Sequence, residues 1–280
     1  MQASPPLLEV EKLNVTFTGG RSPMRAVRDV SFTLGRERLG IVGESGSGKS
    51  TTGRALLGLL PPSARVEAAR MSFEGTDLTR LSQSGWRELR GRHMSMVMQD
   101  PKYSLNPVIK VGEQIMETLR LHKPVSSAEA RQQALAMLEA VRIRDPERVF
   151  ELHPHQLSGG MGQRVMIAAM LIAEPDLLIA DEPTSALDVT VQNQVLRILD
   201  DLVAARGMGL IFISHNLTAI ASFCDRVLVM YGGRIVEELP ARDLGRAKHP
   251  YTQALLAAAP NLDQPRAELA VVVRDPAWIQ

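Results

Sequence analysis

The sequence predicts an α/β fold that begins with an antiparallel β region and carries an inserted, mostly helical subdomain. Three observations support this fold class: alternating apolar residues near the N-terminus, a short apolar strand followed by a glycine-rich loop and a helix, and short apolar runs that alternate with helical segments in the last third of the chain. We expect one domain over residues 7–262, with the helical subdomain at about residues 108–160 and a tail at residues 263–280.

Alternating apolar residues at 8–17 and 26–34 predict two strands, which the turn-like residues 18–23 connect into an antiparallel pair. The apolar run at residues 39–42 then predicts a buried strand. It is followed by a glycine-rich loop and a predicted helix at residues 50–60, and we expect the two prolines directly after residue 60 to end that helix.

The middle of the chain is predicted to be helical. Residues 108–122 and 128–141 have apolar side chains at helical spacing, and Ser126 or Ser127 is suited to cap the second of these helices. After Pro175 the pattern changes to short apolar runs separated by helical segments, which favours parallel strands. These runs are residues 177–180, 210–213 and 226–230.

Composition and charge exclude several classes of protein. The 280 residues carry a net charge of +1, so bulk charge does not favour binding to nucleic acid. The longest apolar run, residues 165–173, is far shorter than the ~20 residues of a membrane span, and the first ten residues do not form a secretory signal. We therefore expect a cytosolic protein. The single cysteine, Cys224, excludes an internal disulfide, and we expect it to be a small buried residue.

Residues 43–50 match the P-loop pattern and lie between the predicted buried strand and the helix, as phosphate binding requires. Glycines let successive backbone N–H groups turn towards phosphate oxygens, and the helix N-terminus adds partial positive charge. Lys49 would neutralise the β- and γ-phosphates, and Ser50 would offer its hydroxyl to Mg²⁺. The pattern predicts the core of a P-loop NTPase. Its residues are Gly43, Glu44, Ser45, Gly46, Ser47, Gly48, Lys49 and Ser50.

Two further predicted strands end in residues suited to hydrolysis. The run at 177–180 leads into Asp181, which would hold Mg²⁺, and Glu182, which would accept a proton from the attacking water. The run at 210–213 leads to His215, which could hydrogen-bond the γ-phosphate. An acidic strand end or a single histidine is weak evidence for a hydrolytic site on its own, and the P-loop in the same sequence makes this evidence stronger.

Residues 157–164 predict a second helix N-terminus that can receive an anion, because a serine and two glycines precede a helical run. One nucleotide cannot easily use both helix N-termini of the same chain. We therefore expect Ser158 and Gly160 to face the γ-phosphate of an ATP held by the P-loop of a second subunit.

These motifs, in this order, resemble an ATP-binding cassette (ABC) ATPase subunit, with residues 157–164 as the signature motif. The resemblance implies that Gln99 is a Mg²⁺ and water ligand that senses a membrane partner, and that His215 is the switch histidine. It also implies that the ring of Phe17 stacks on adenine, where the family usually has tyrosine. The ATP and Mg²⁺ site would then include Phe17, Thr51, Ser158, Gly159, Gly160 and Asp188 in addition to the P-loop and residues Gln99, Asp181, Glu182 and His215.

Two shorter motifs resemble the oligopeptide, dipeptide and nickel importer branch: residues 99–107, and residues 249–252 with the leucines and proline that follow. Many members of this branch carry a C-terminal cysteine cluster that binds an iron–sulfur centre, and this chain has none. Gly162 also replaces the bulkier polar residue that is common in the signature.

The resemblance implies an ATP-hydrolysing subunit of an importer, at the cytoplasmic face of the inner membrane. Its partners would be a second ABC ATPase subunit, identical or homologous, two transmembrane permease subunits and, indirectly, an extracytoplasmic solute-binding protein, with no nucleic acid. Peptides are the leading substrate, and nickel or another small solute remains an alternative. A soluble ABC ATPase of DNA repair or translation is another, although residues 49–158 leave no room for a long coiled coil and the chain has one cassette.

Two side-chain patterns suggest metal sites that we do not favour. Met94, Met96 and Met98 would share one face of a strand, like a Cu(I) site, but methionines there are more often part of the core. His153 and His155 could suggest a metal pair, yet no further ligand lies near them in the sequence.

Overall fold

The computed structural model describes residues 5–20, 22–185, 187–258 and 275–279. The predicted domain end at residue 262, most of the predicted tail, and Ala186 lie outside these ranges. The chain divides into two compact units, Met1–Leu81 with Ile211–Gln280, and Ser82–Leu210. None of the described helices has the length and apolar character of a membrane span.

The first unit contains an antiparallel sheet of five strands. Its strand order is β2-β1-β5-β6, and β4 also pairs with β1. The predicted strand at residues 8–17 is confirmed, and the strand predicted at residues 26–34 begins two residues earlier. The five strands are β1 (Leu8–Phe17), β2 (Met24–Leu34), β4 (Ala64–Glu67), β5 (Arg70–Phe73) and β6 (Thr76–Asp77).

A bulge in β1 keeps its apolar residues on one face. Val10 and Leu13 are both buried although they are three positions apart, and the register with β2 shifts between them. Lys12, within this irregularity, has a φ of 50°. Because side chains alternate along a strand, the extra residue restores the phase and returns Leu13 and Val15 to the core.

A second group of strands in the first unit carries the P-loop. Strand β3 (Arg38–Val42) pairs in parallel with β10 (Arg226–Tyr231), which pairs in antiparallel fashion with β11 (Arg234–Pro240). The α-helices among the described residues of this unit are α1 (Lys49–Leu56), α9 (Leu217–Phe223) and α10 (Pro250–Ala258). Strand β9 (Gly209–Ile213) has residues in both units.

Helix α1 ends earlier than the sequence analysis predicts. It stops at Leu56 because Gly58 takes a left-handed conformation, with a φ of 59°. The N–H of Gly58 bonds to the carbonyl of Ala55, and the N–H of Leu59 bonds to the carbonyl of Arg54. This pair of hydrogen bonds satisfies the last carbonyls of the helix. The prediction that the prolines at 61 and 62 end the helix is therefore wrong.

The second unit combines two parallel strands with helices. Strand β7 (Met94–Val97) pairs in parallel with β8 (Leu177–Asp181), so the C-terminal ends of both strands lie at one edge. The helices of this unit are α2 (Gln83–Leu89), α3 (Pro101–Ser104), α4 (Val111–His122), α5 (Ser127–Ala140), α6 (Pro146–Phe150), α7 (Gly159–Leu171) and α8 (Val189–Arg206).

The two helices predicted for the middle of the chain are confirmed as α4 and α5. Helix α5 begins after Ser126, whose side chain accepts a hydrogen bond from the N–H of Glu129 at 3.2 Å. Ser126 is therefore the N-cap that the sequence indicates. The apolar stripe of each helix is buried: Val111, Ile115 and Leu119 in α4, and Ala130, Ala134 and Leu138 in α5.

Candidate functional site

The P-loop connects β3 to α1, and its backbone needs glycine at two close contacts. A Cβ atom at Gly43 would lie 2.1 Å from the carbonyl oxygen of Met230, and one at Gly48 would lie 2.6 Å from that of Ala26. Gly48 also has a φ of 102°, which disfavours any other residue. Because these two glycines lack a side chain, the loop can lie directly against neighbouring backbone, and this close approach shapes the concave turn that precedes α1.

The side chain of Lys49 lies inside this turn. The residue is only 5% exposed. Its ammonium group donates to the carbonyl oxygens of Gly43 at 2.7 Å and Glu44 at 2.8 Å. A buried ammonium group inside a glycine-rich loop at a helix N-terminus is suited to bind phosphate. The residues therefore fit a nucleoside triphosphate.

The remaining P-loop residues differ in their exposure to solvent. Ser45 and Gly46 are exposed at the outer side of the loop, whereas Ser47 is buried. Ser50 and Thr51 follow Lys49 in the first turn of α1, where both are partly exposed. The hydroxyl of Ser50 is thus next to Lys49 in the chain, at the helix N-terminus, as a ligand for a phosphate-bound Mg²⁺ would be.

A residue near the C-terminus contacts the P-loop directly. The backbone N–H of Glu44 donates to the phenolic oxygen of Tyr251 at 2.9 Å, and Tyr251 is fully buried. On the other side of the loop, the N–H of Gly233 donates to the carbonyl of Ser47 at 3.1 Å. In the sequence, Tyr251 belongs to a motif that resembles the importer branch, and nothing there assigns the tyrosine itself to the P-loop.

Phe17 and His215 also belong to the first unit. Phe17 is the last residue of β1, pairs with Met24 and Ala64, and is partly exposed. His215 is exposed in the turn between β9 and α9. This turn is defined locally, because Ser214 accepts a hydrogen bond from the N–H of Asn216 at 3.0 Å, and Asn216 caps α9.

Strand β8 ends in the acidic pair of the second unit. Asp181 is its last residue and is 3% exposed. Glu182 follows with a φ of 48°, a left-handed conformation that costs a non-glycine residue about 1–2 kcal/mol. Its carbonyl accepts hydrogen bonds from both the backbone N–H and the hydroxyl of Ser185. Strain of this kind is often retained at functional sites, where the surrounding structure maintains it.

Gln99 follows β7, two residues beyond the last strand residue, and its side chain is exposed. Strands β7 and β8 are adjacent and parallel, with Val97 opposite Ala180. The segments that carry Gln99 and the acidic pair therefore leave the same edge of the sheet. Such an edge is where parallel α/β sheets bind their ligands.

The signature helix α7 begins at Gly159, so the two glycines expected to precede the helical run form its first turn. Ser158 is its N-cap, and its hydroxyl oxygen accepts a hydrogen bond from the N–H of Met161 at 3.4 Å. Asp188 caps α8 in the same manner through the N–H of Val191 at 3.0 Å. A cavity of about 360 Å³ lies at these two helix starts. Its lining includes Ser158, Gly159, Gly160, Arg164, Asp188 and Val191.

Arg164 contributes positive charge to this cavity. Its guanidinium donates to the side-chain oxygen of Gln194 at 2.6 Å and to the carbonyl of Arg142 at 3.1 Å, so it connects α7 to α8 and to the turn that follows α5. Burial lowers the pKa of Arg164, and the charges of Arg142 and Arg144 lower it further. An anion that entered the cavity would relieve this accumulation of positive charge.

A larger cavity of about 630 Å³ adjoins the start of α7 on the side of the Gln99 segment. Proline and leucine side chains dominate its wall, and Gly162 lines it without a side chain. A Cβ atom at Gly162 would be in ordinary contact with Pro101, at 3.5 Å. The main lining residues are Pro101, Leu105, Pro107, Pro154, Leu157 and Gln163.

The predicted site residues are divided between the two units. The first unit holds the P-loop with Thr51, Phe17 and His215. The second unit holds Gln99, Asp181 and Glu182 near one sheet edge, and Ser158, Gly159, Gly160 and Asp188 around the start of α7. Each group includes one helix N-terminus suited to a phosphate.

The prediction that Met94, Met96 and Met98 belong to the core is confirmed for the first two and wrong for Met98. Met94 and Met96 are buried in β7, whereas Met98 lies outside the strand and is 37% exposed. The rings of His153 and His155 stack at 5.7 Å, and among the described residues neither belongs to a group of three or more potential metal ligands. Cys224 is buried, and burial raises the pKa of its thiol to about 12.

Comparison with known proteins identifies close relatives. Residues 27–185 match the family model described as "ABC transporter". The oligopeptide transport ATP-binding protein OppD of Salmonella typhimurium is 47% identical over 272 residues, which cover 96% of this chain and 81% of that protein. The dipeptide transport ATP-binding protein DppD of Haemophilus influenzae is 46% identical, over 94% of this chain and 80% of the relative.

Solved structures agree with this fold. A dimeric ATP-binding cassette in a post-hydrolysis state, bound to ADP and Pi, matches with a TM-score of 0.76 and 26% identity. The match covers 84% of this chain and 99% of that structure. The cbiO1 subunit of an ABC transporter complex from Clostridium perfringens matches with a TM-score of 0.74, over 87% of this chain and 92% of its own.

Proposed function

This chain belongs to the ABC transporter family of ATPases, and on that premise we propose that it energises an importer of oligopeptides or dipeptides. It would hydrolyse ATP to ADP and phosphate at the cytoplasmic face of the inner membrane, as a peripheral subunit. The names of the relatives that are 46–47% identical over most of the chain support peptides as the cargo. The single observation that carries the ATPase role is the glycine-rich turn that encloses the buried ammonium group of Lys49.

The first unit supplies the residues that bind the nucleotide. The backbone N–H groups of the P-loop and the start of α1 receive the phosphates, and Lys49 exchanges its carbonyl contacts for the β- and γ-phosphate oxygens. Thr51 adds a hydroxyl in the first turn of the helix. The partly exposed ring of Phe17 would offer its face to adenine, a contact that depends on stacking and does not need the hydroxyl of tyrosine.

Magnesium would be held by Ser50, Asp181 and Gln99, and when bound it would neutralise charge on the phosphate oxygens. Glu182 is the general base: it accepts a proton from the water whose oxygen attacks the γ-phosphorus, while the bond from that phosphorus to the bridging oxygen of ADP breaks. His215 orients the water and the γ-phosphate through its imidazole. The left-handed backbone of Glu182 supports this role, because strained backbone is often retained at functional sites.

The second half of the ATP site would come from another cassette. Ser158, Gly159, Gly160 and Asp188 surround a cavity at the N-terminus of α7, separate in the chain from the P-loop. A single triphosphate does not need two helix N-termini from one chain, whereas two cassettes arranged head to tail would each complete the site of the other. The dimeric ATP-binding cassette among the similar structures supports this arrangement.

Two permease subunits would carry the peptide, and the 630 Å³ cavity beside the start of α7 is the candidate contact for one of their cytoplasmic helices. Its wall of prolines and leucines is suited to the apolar face of a helix. Because the cavity adjoins both the Gln99 segment and the signature, a helix in it could respond to ATP binding. An extracytoplasmic solute-binding protein would deliver the peptide to the permeases.

The test of this function is a purified complex of the chain with co-expressed permease subunits, reconstituted in vesicles with the solute-binding protein. We expect ATP-dependent uptake of labelled peptide, and we expect the Glu182→Gln variant to lose turnover while it forms ATP-locked cassette pairs. Unchanged turnover in that variant would exclude Glu182 as the base. Uptake of a nickel chelate without uptake of peptide would overturn the assigned cargo.

A further inference from the structure

The contact between Tyr251 and the P-loop has no role in the mechanism described so far. We propose that Tyr251 is a positioning residue that holds the first turn of the P-loop in the form that binds phosphate, and so raises the affinity for ATP and ADP. This inference rests on the proposed function, since it concerns the same nucleotide site. It assigns a role at the P-loop to helix α10, more than 200 positions further along the chain.

The hydrogen bonds of Glu44 connect Tyr251 to the phosphate-binding lysine. Its backbone N–H donates to the hydroxyl oxygen of Tyr251 at 2.9 Å. Its carbonyl oxygen accepts from the N–H of Ser47 at 3.1 Å and from the ammonium group of Lys49 at 2.8 Å. The orientation of this residue therefore affects both the curvature of the loop and the position of the lysine.

Tyr251 is itself held firmly. Its buried ring packs against the ring of Tyr231, with centroids 4.4 Å apart, and against that of Trp278 at 5.5 Å. An aromatic side chain with two such neighbours has little rotamer freedom to lose. Its hydroxyl is therefore a fixed acceptor, which is what a positioning contact requires.

A carboxylate on β11 holds the start of α10. Glu237 accepts hydrogen bonds from the backbone N–H groups of Lys248 at 2.7 Å and His249 at 3.2 Å. The ring of His249 in turn accepts one from the N–H of Tyr251 at 3.2 Å. Strand β11 therefore helps to fix the position of Tyr251. The hydrogen bonds continue from Glu237 through His249 and Tyr251 to the P-loop, all within one compact unit.

Loss of the hydroxyl would remove one acceptor from the Glu44 N–H and leave the ring packing intact. A net hydrogen bond of ordinary strength corresponds to a factor of about 3 to 10 in an equilibrium constant. We expect this factor to appear in nucleotide binding, because the loop would have to be ordered again when the phosphates bind. ATP and ADP should be affected alike, since both place a β-phosphate in the loop.

The test compares Tyr251→Phe with Tyr231→Phe in the full chain. Tyr231 is the matched control because its ring belongs to the same cluster, while its hydroxyl donates to the carbonyl of Asp275 at 3.3 Å and not to the P-loop. Calorimetric titration with ATP and with ADP should give a Kd about 3 to 10 times higher for Tyr251→Phe and unchanged for Tyr231→Phe. The melting temperature without nucleotide should be similar in both variants.

A second variant disturbs the position of Tyr251 without changing that residue. Glu237→Ala removes the acceptor of the N–H groups of Lys248 and His249, which directly precede α10, and we expect it to weaken ATP and ADP binding in the same direction. Equal nucleotide affinity in Tyr251→Phe and the unmodified chain would overturn the proposal, as would an equal loss in Tyr231→Phe. If the unmodified chain bound no ATP, the proposed function would fail, which is a separate result.

Discussion

Gly160 in the signature lies directly against Val191 on helix α8: a Cβ atom at Gly160 would be 2.7 Å from Cγ1 of Val191. Both residues line the 360 Å³ cavity that Ser158 and Asp188 border. A β-branched side chain has few alternative rotamers, so a methyl group at Gly160 would displace either helix start. The shape of this cavity therefore depends on a glycine for steric reasons, in addition to any contact with a nucleotide.

We predict that Gly160→Ala lowers the free energy of unfolding by about 1–3 kcal/mol, because the added methyl group would overlap the side chain of Val191. Gly159→Ala is the matched control, because a Cβ atom there meets nothing within 4 Å. It should change stability by less than about 1 kcal/mol. Urea denaturation measures both effects. The double variant Gly160→Ala with Val191→Ala should recover part of the loss, and no recovery would contradict the steric explanation.

Variants of Glu182 can separate the strain of its backbone from the role of its carboxylate in ATP turnover. Glycine accepts a φ of 48° without steric cost, so Glu182→Gly should raise the free energy of unfolding by about 1 kcal/mol and abolish ATP turnover. Glu182→Gln removes the same charge but keeps the side chain, so its stability should stay close to that of the unmodified chain. Thermal unfolding and phosphate release are the measurements. Equal stability of the two variants would show that the backbone at this position stores no strain.

Lys49 and Ser50 should have separable effects on nucleotide binding. Lys49→Ala should weaken ATP binding by at least about 100-fold with or without Mg²⁺, because it removes a charge-assisted contact to phosphate. Ser50→Ala should weaken binding of ATP in the presence of Mg²⁺ and leave binding in EDTA unchanged, because its hydroxyl acts through the metal. Calorimetry in the two buffers distinguishes these cases. A loss in EDTA for Ser50→Ala would assign its hydroxyl to phosphate instead.

Cys224 should be unreactive in the native chain. Burial raises the pKa of its thiol to about 12, and the neighbouring Asp225 adds to the increase while Arg38 opposes it. At pH 7 only about one thiol in 10⁵ would then be ionised, and the thiolate is the form that reacts. Labelling with a thiol reagent should be slow up to about pH 10 and rapid in urea, where the normal pKa returns. Rapid native labelling at pH 7 would show that the thiol is accessible and ionised.

Features that depend on neighbouring residues were predictable from the sequence. The strands at residues 8–17 and 177–181, the helix caps at Ser126 and Ser158, and the glycine-rich loop before α1 all follow from local patterns of apolar, capping and glycine residues. The end of α1 was also encoded locally, by Gly58, but the neighbouring prolines are a stronger stop signal in the sequence and led to a helix predicted four residues too long.

The bulge in β1 could not be predicted from the local alternation of apolar and polar residues. The apolar residues of β1 change phase between Val10 and Leu13, which a strict two-residue period does not accommodate. The bulge there depends on pairing with β2, and the residues opposite it lie some twenty positions later in the chain. Pairing energy between the two strands, and not the propensity of either, makes the extra residue acceptable.

The residue types and order of the motifs by themselves determined the family, the reaction and which side chains are suited to phosphate, metal and water, because those chemical capacities belong to the side chains and to short backbone segments. Only the tertiary structure decided that Tyr251 supports Glu44, that Val191 limits Gly160, and that Asp188 borders the cavity of Ser158. Such contacts join residues that are distant in sequence, and they arise from how packed elements exclude one another, which no short segment encodes.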